Sequence, residues 1–213
     1  MNLPTPPEVR RDARKARRHA RHRAALLDAA REVLAEEGLP GFTVARVAGR
    51  ADVSKPSFYY YFRSREELVA ALADQIAAEE ATELTRAAYA AGDGADALEA
   101  AVRAGVTWHR ADLDRYRLLH QWPAVVGIVP GFLEQTVQPR REQVLMVLER
   151  RLAGGSDVKE VHRDLAALAL ATAHGIVATL AYMDALGADL GRRVDGMLDA
   201  GCASLRAAAT AVS

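Results

Sequence analysis

Apolar residues recur along this chain at spacings of three and four, with no run of strict alternation, so helices are expected throughout. Ala, Leu, Arg and Glu fill the periodic stretches, and Gly and Pro collect at the breaks between them. The pattern predicts about nine helices, over 18–37, 43–50, 54–60, 64–91, 93–111, 112–122, 131–153, 157–186 and 190–211. The first carries an apolar stripe at Leu26, Leu27, Ala30, Val33 and Leu34 and should stop at Gly38, where a left-handed cap is expected. The fold class is all-α.

The second and third helices are short and sharply punctuated. Thr43 is placed to cap the second, with Val44, Val47 and Ala48 inward, and Ala51 with Asp52 makes the turn that follows. Asp tolerates positive φ better than most residues with a side chain, so a tight connection is possible there. Ser54 should cap the third helix, and Pro56 falls in its first turn, where a missing N–H loses no intrahelical bond. Ser64 and Glu67 read as a capping box that starts the long fourth helix. Two short helices joined by about three residues form a helix-turn-helix.

Five of the ten Phe and Tyr residues lie between Phe58 and Phe62, more than one helical turn, so they cannot all face one small core. Phe58 and Phe62 are expected to pack inward against Val33, Val44, Val47 and Leu68, and Tyr59 and Tyr60 to face outward; the pattern leaves Tyr61 open. The net charge of zero hides an asymmetry. Residues 1–65 hold 14 Lys and Arg against 7 Asp and Glu, and residues 66–213 hold 14 against 21. A basic first third is the footprint of a polyanion-binding surface confined to one part of the chain. The single cysteine, Cys202, makes an intrachain disulfide impossible and suits a reducing cytoplasm. No continuous apolar run approaches the roughly 18 residues of a membrane span, and no signal-peptide core follows the basic start, so a soluble, cytoplasmic protein is expected.

On these residues the stretch 43–68 resembles the DNA-binding signature of the TetR family of bacterial transcriptional regulators. Thr43, Val47, Ala48, Ala51, Val53, Ser54, Tyr59, Phe62, Ser64, Glu66 and Leu68 match it in order and spacing. Asp52 stands where that signature has glycine, Arg65 where it has lysine, Pro56 where it has a small residue, and Phe58 where leucine is common. The resemblance covers about residues 22–70 and implies phosphate contacts at Tyr59 and Arg65. The organisation it suggests is a basic N-terminal arm over 1–21, a three-helix DNA-binding domain over 22–68, and a larger helical domain for dimerisation and ligand binding over 69–213.

In a helix-turn-helix the second helix enters the major groove, its first residues nearest the base edges. Those residues are Ser54, Lys55, Pro56 and Ser57, with Lys55 the expected source of specificity through guanine acceptors. Tyr59, Tyr60, Thr43 and Arg65 should meet the backbone, helped by the N-terminus of the fourth helix. The segment 10–23 holds eight Arg and Lys against one Asp. It reads either as a solvated tail or as an arm that follows the duplex through residues such as Arg17, Arg18 and Arg21. His19 and His22 have no third ligand nearby, and no metal is expected of them.

The acidic remainder gathers candidates for an effector pocket: Trp108, His109, Tyr116, His120, Trp122, Phe132, Met146, His174 and Tyr182. The bland alternative for His109 and His174 is an ordinary core position. The last two helices are rich in small residues, among them Ala166, Ala169, Ala173, Gly175, Ala178 and Ala181, then Gly196, Ala200, Gly201 and Ala207. They could pack as an intrachain hairpin or pair across a two-fold axis as a homodimer facing a palindromic operator. The expected function is a sequence-specific regulator of double-stranded DNA, a repressor released by a small-molecule effector, with no cofactor and no metal. Its rivals are a constitutive DNA binder and an all-α enzyme. No nucleophile elbow, phosphate loop or paired metal carboxylates support the enzyme, so no catalytic residue is assigned.

Overall fold

The computed structural model describes residues 7–121, 131, 135, 137–188 and 190–212. Among them there are nine α-helices and no strand: α1 (Pro7–Gly41), α2 (Val44–Arg50), α3 (Lys55–Tyr61), α4 (Arg65–Ala90), α5 (Gly94–Arg110), α6 (Leu113–Tyr116), α7 (Gln138–Ala153), α8 (Glu160–Ala185) and α9 (Gly191–Thr210). A π-helical turn, Arg117–Gln121, continues α6. The helices divide into two units, Met1–Leu72 and Ala73–Ser213, so α4 contributes its first turns to one and the rest to the other.

Helix α1 starts at Pro7, well before the start at residue 18 that the apolar stripe suggests, because the basic segment continues the helix without contributing to a core. The expected arm is therefore the first turns of α1. Gly38 takes φ 63° and ψ −171°, so it breaks the helix with a positive φ but not in the left-handed helical cap expected, and helical turns resume to Gly41. Thr43 accepts the Arg46 N–H at 3.3 Å, and Ser54 accepts the Ser57 N–H at 3.2 Å. At the start of α4 Ser64 accepts the Glu67 N–H at 3.2 Å, while the Glu67 carboxylate accepts the Arg63 N–H at 2.7 Å. The Ser64 half of the expected capping box forms, whereas Glu67 reaches back to Arg63, one residue before the cap.

The turn between α2 and α3 is a Schellman motif. Asp52 has φ 52°, its N–H donates to the Gly49 carbonyl at 3.2 Å, and the Val53 N–H donates to the Ala48 carbonyl at 2.9 Å. The core of this unit is fully buried Leu26, Ala30, Phe42, Val47, Phe58, Phe62, Leu68 and Leu72. Phe42 was not among the residues expected inward. It precedes the Thr43 cap, and Phe42 and Val47 occupy the two positions of a hydrophobic staple. Val44, expected inward, is only half-buried.

In the second unit α5 packs against α7, α8 and α9. Its inward face is Ala97, Leu98, Ala101, Val102, Gly105, Val106 and His109, against buried residues of α8 and α9 such as Leu165, Ala169, Ile176, Leu198 and Leu205. Helices α5 and α9 run antiparallel, as three ion pairs record: Asp96 to Arg206 at 2.6 Å, Arg103 to Asp199 at 2.9 Å and Arg110 to Asp195 at 2.6 Å. At Gly201 a Cβ would lie 2.8 Å from the Thr172 methyl, so the small residue permits the approach of α8 and α9.

The small residues of the last two helices do not share one role. Ala166, Ala169, Ala173 and Ala181 are buried within the chain, whereas Gly175, Gly196, Ala200 and Ala207 are exposed. Helix α8 is long and apolar enough to cross a membrane by length and composition, although no continuous apolar run reaches that length. Its hydrophobicity has another outlet, since Leu165, Ala166, Ala169, Leu170, Ala173, Ile176, Val177 and Ala181 form core.

Candidate nucleic-acid interface and a histidine-lined cavity

The cap at Ser54 fixes the start of α3, and Phe58 anchors the helix in the core, so its first turn faces outward. Ser54, Lys55, Pro56 and Ser57 are all exposed, as is Thr43. Lys55 makes no ion pair with any described residue. Ser54 and Ser57 also share a hydroxyl hydrogen bond of 3.0 Å. Tyr59 and Tyr60 are 53% and 67% exposed, an unusual outlay of large ring surface that leaves both hydroxyls accessible. Arg65 is half-buried, 3.5 Å from the Glu66 carboxylate.

The aromatic run divides by direction. Phe58 and Phe62 lie in the core with ring centroids 6.0 Å apart, and the Arg23 guanidinium sits 4.9 Å over Phe62. Tyr61 packs against α1, 4.8 Å from the His19 ring and stacked on His22 at 5.9 Å. Tyr60 meets His19 edge-on at 5.6 Å. The His-x-x-His pair of α1 is therefore a ring platform for α3. On the same helix Arg11, Arg14, Lys15, Arg17, Arg18 and Arg21 are all exposed, with Asp12 among them. On α2, Arg50 is held by Glu32 at 3.1 Å and by Glu36, which spends that charge inside the unit.

The second unit holds a cavity of about 240 Å³. Its apolar wall includes Ala77, Leu84, Val144, Leu170 and Val177, and its polar wall includes Glu80, His109, Tyr116, His120 and His174. His109 Nε2 donates to Glu80 Oε1 at 2.8 Å, and the Tyr116 hydroxyl and His174 Nε2 share a hydrogen bond of 3.1 Å. The His120 ring stacks obliquely on Tyr116 at 4.8 Å and meets His174 edge-on at 4.7 Å. Burial lowers His120 to about 4, with Glu80 opposing, and burial lowers His174 too. For Glu80 burial pushes upward, but the His109 hydrogen bond and the nearby histidines outweigh it and hold the carboxyl below its ordinary value. Tyr116 is raised by burial.

Of the residues expected in a pocket, His109, Tyr116, His120 and His174 line this one. Trp108, Met146 and Tyr182 do not. Trp108 precedes His109 by one residue, hence by about 100° of helix, and carries the Arg115 guanidinium 4.6 Å over its ring. Met146 and Tyr182 are 52% and 63% exposed, off the register of Val144 and Val177 on their helices. Trp122 and Phe132 lie outside the described residues. Glu80 was missed, although its signal was present: it interrupts the inward stripe of Ile76, Ala77, Ala81 and Leu84, much as His109 interrupts that of α5.

A short capped helix pair on an aromatic core, with its second helix starting in open solvent, defines the class: an all-α protein with a helix-turn-helix DNA-binding domain. Residues 26–72 match the family model described as bacterial regulatory proteins, tetR family. The all-α fold is shared with solved structures of that family. The chain resembles a TetR-family transcriptional regulator from Streptomyces coelicolor with a TM-score of 0.60 at 23% identity, over 90% of this chain and 99% of that one. A protein of unknown function from Rhodococcus sp. RHA1 aligns with a TM-score of 0.66 at 24% identity, over 87% and 93%. The regulator FadR from Bacillus subtilis, solved in complex with stearoyl-CoA, aligns with a TM-score of 0.62 at 18% identity, over 84% and 97%. No curated protein matches the chain.

Proposed function

We propose that the chain is a homodimeric repressor that holds a palindromic operator through α3 and releases it when a small molecule occupies the cavity of the second unit. The observation that carries the DNA half is the exposed first turn of α3, Ser54 to Ser57, on a helix anchored by Phe58. Lys55 is assigned base contact, and Tyr59, Tyr60, Thr43 and Arg65 are assigned phosphate. The basic face of α1 through Arg17, Arg18 and Arg21 is assigned to flanking phosphates.

Support for the effector half is the cavity, whose apolar wall and convergent polar end are the usual make-up of a small-molecule site. Helix α4 is continuous from Arg65, beside the motif, to Ala90, and Glu80 on it lines the cavity. That makes it the natural lever. An effector acts through it only by binding the DNA-incompetent form more tightly, since equal affinity for both forms shifts nothing. The homodimer is assigned to the outward faces of α8 and α9, where Leu168, Tyr182 and Met197 are exposed, as is Leu186 in the turn after α8.

The test is operator affinity before and after addition of candidate ligands that bind the second unit. Release by a ligand that binds the cavity supports the reading; operator affinity unchanged by every such ligand reduces the chain to a constitutive DNA binder.

A further inference from the structure

We infer that Glu80, His109 and His120 form a binding site for a divalent first-row transition-metal ion of the zinc type. The three come from α4, α5 and the turn after α6, and one ligand atom from each lies within 4.8 Å of the others. No sequence spacing betrays this set, because only the fold brings it together.

The geometry is near what a metal requires. Zinc bonds of about 2.0–2.2 Å to nitrogen and oxygen place tetrahedral ligands roughly 3.3 Å apart. Glu80 and His109 already stand at 2.8 Å, so binding needs the pair to open slightly and His120 to close in. Two imidazoles and one carboxylate favour zinc, iron, cobalt or nickel over magnesium or calcium, which prefer an all-oxygen shell.

The side chains are placed to turn toward one ion. His109 is 4% exposed, and the nitrogen it turns to Glu80 is Nε2, so a metal there would replace the Nε2–Glu80 hydrogen bond. His120 is only partly enclosed and makes no hydrogen bond with any described residue, so its ring is free to turn toward an ion. His174 is different, since Tyr116 engages its Nε2; it stands beside His120 and is assigned an orienting role. Three protein ligands leave a coordination position for water or for an oxygen of a cavity ligand. The site goes beyond the regulatory reading, because metal would bind whether or not the chain binds DNA.

The experiment is titration of the chelator-treated, full-length protein with Co²⁺, followed by Zn²⁺. The expected result is one Co²⁺ per chain with the visible absorption of a low-symmetry site, displaced by Zn²⁺. Glu80→Gln and His120→Ala should each weaken binding by about 100-fold or more, and His174→Ala by about tenfold, the range of an orienting neighbour. His19→Ala with His22→Ala should leave the titration unchanged. Glu80→Gln, nearly the same shape, carries the test if His120→Ala does not fold. Absence of Co²⁺ bands, equal affinity in Glu80→Gln, or loss of binding on removing His19 and His22 would each overturn the site. Operator binding is measured separately, so failure of one assignment leaves the other standing.

Discussion

His109 Nε2 lies 2.8 Å from Glu80 Oε1, joining α5 to α4 at the polar end of a cavity. A charged partner makes such a bond worth about 1.5–3 kcal/mol when it is sheltered from water. Glu80→Ala should therefore lower the stability of the second unit by about 1–3 kcal/mol, and His109→Ala by a similar amount. Both tryptophans, Trp108 and Trp122, belong to that unit, so urea unfolding followed by tryptophan fluorescence reads it alone. An unchanged midpoint in both variants would remove the pair from the account.

The turn before α3 carries strain that one substitution relieves. Asp52 holds φ 52°, a conformation that costs a residue with a side chain about 1–2 kcal/mol and glycine almost nothing. Glycine's greater freedom in the unfolded chain returns part of that, so Asp52→Gly should stabilise the turn by about 0.5–1 kcal/mol. Asp52→Val should destabilise it. Hydrogen exchange of the Val53 amide, which closes the Schellman motif, should slow in the first variant and quicken in the second.

Helices α5 and α9 are clasped by exposed ion pairs, among them Arg206 with Asp96 and Glu99. The hydrogen bond from Arg206 holds both carboxyls below their ordinary values. Groups with depressed folded values stabilise above the ordinary carboxylate range and lose that contribution as pH falls through the depressed values. Arg206→Ala should thus lower the melting temperature slightly at neutral pH, and the gap should close in strong acid. Salt should close it too, because exposed pairs are screened.

The basic face of α1 predicts a salt signature. Replacing Arg17, Arg18 and Arg21 by Gln should reduce the slope of log K against log salt by about 0.9 for each phosphate that is no longer neutralised. An unchanged slope would assign that face to solvent alone.

Local signals carried most of the fold. Caps at Thr43, Ser54 and Ser64, the break at Gly38 and the positive φ at Asp52 all follow from residue types acting on their immediate backbone. Direction and long-range assembly were less legible. Phe42 stands outside any helical stripe, and its burial comes from closing the α1–α2 corner. Met146 and Tyr182 were expected in the pocket on chemical character, and helical register turns them outward. The cavity's polar end joins residues distant in sequence, so its signal was only a charged or ionisable group in each of two apolar stripes, Glu80 and His109.

The central claim is that the first turn of α3 reads DNA sequence, and a selection from random duplexes, run in parallel on the wild type, Lys55→Ala and Tyr59→Phe, tests it most directly. The account predicts that the wild type enriches a motif of two inverted half-sites. Lys55→Ala should relax one position by about 1–3 kcal/mol, while Tyr59→Phe weakens all sequences alike. Recovery of no motif, or of the same motif with the same base preferences from Lys55→Ala, would contradict it.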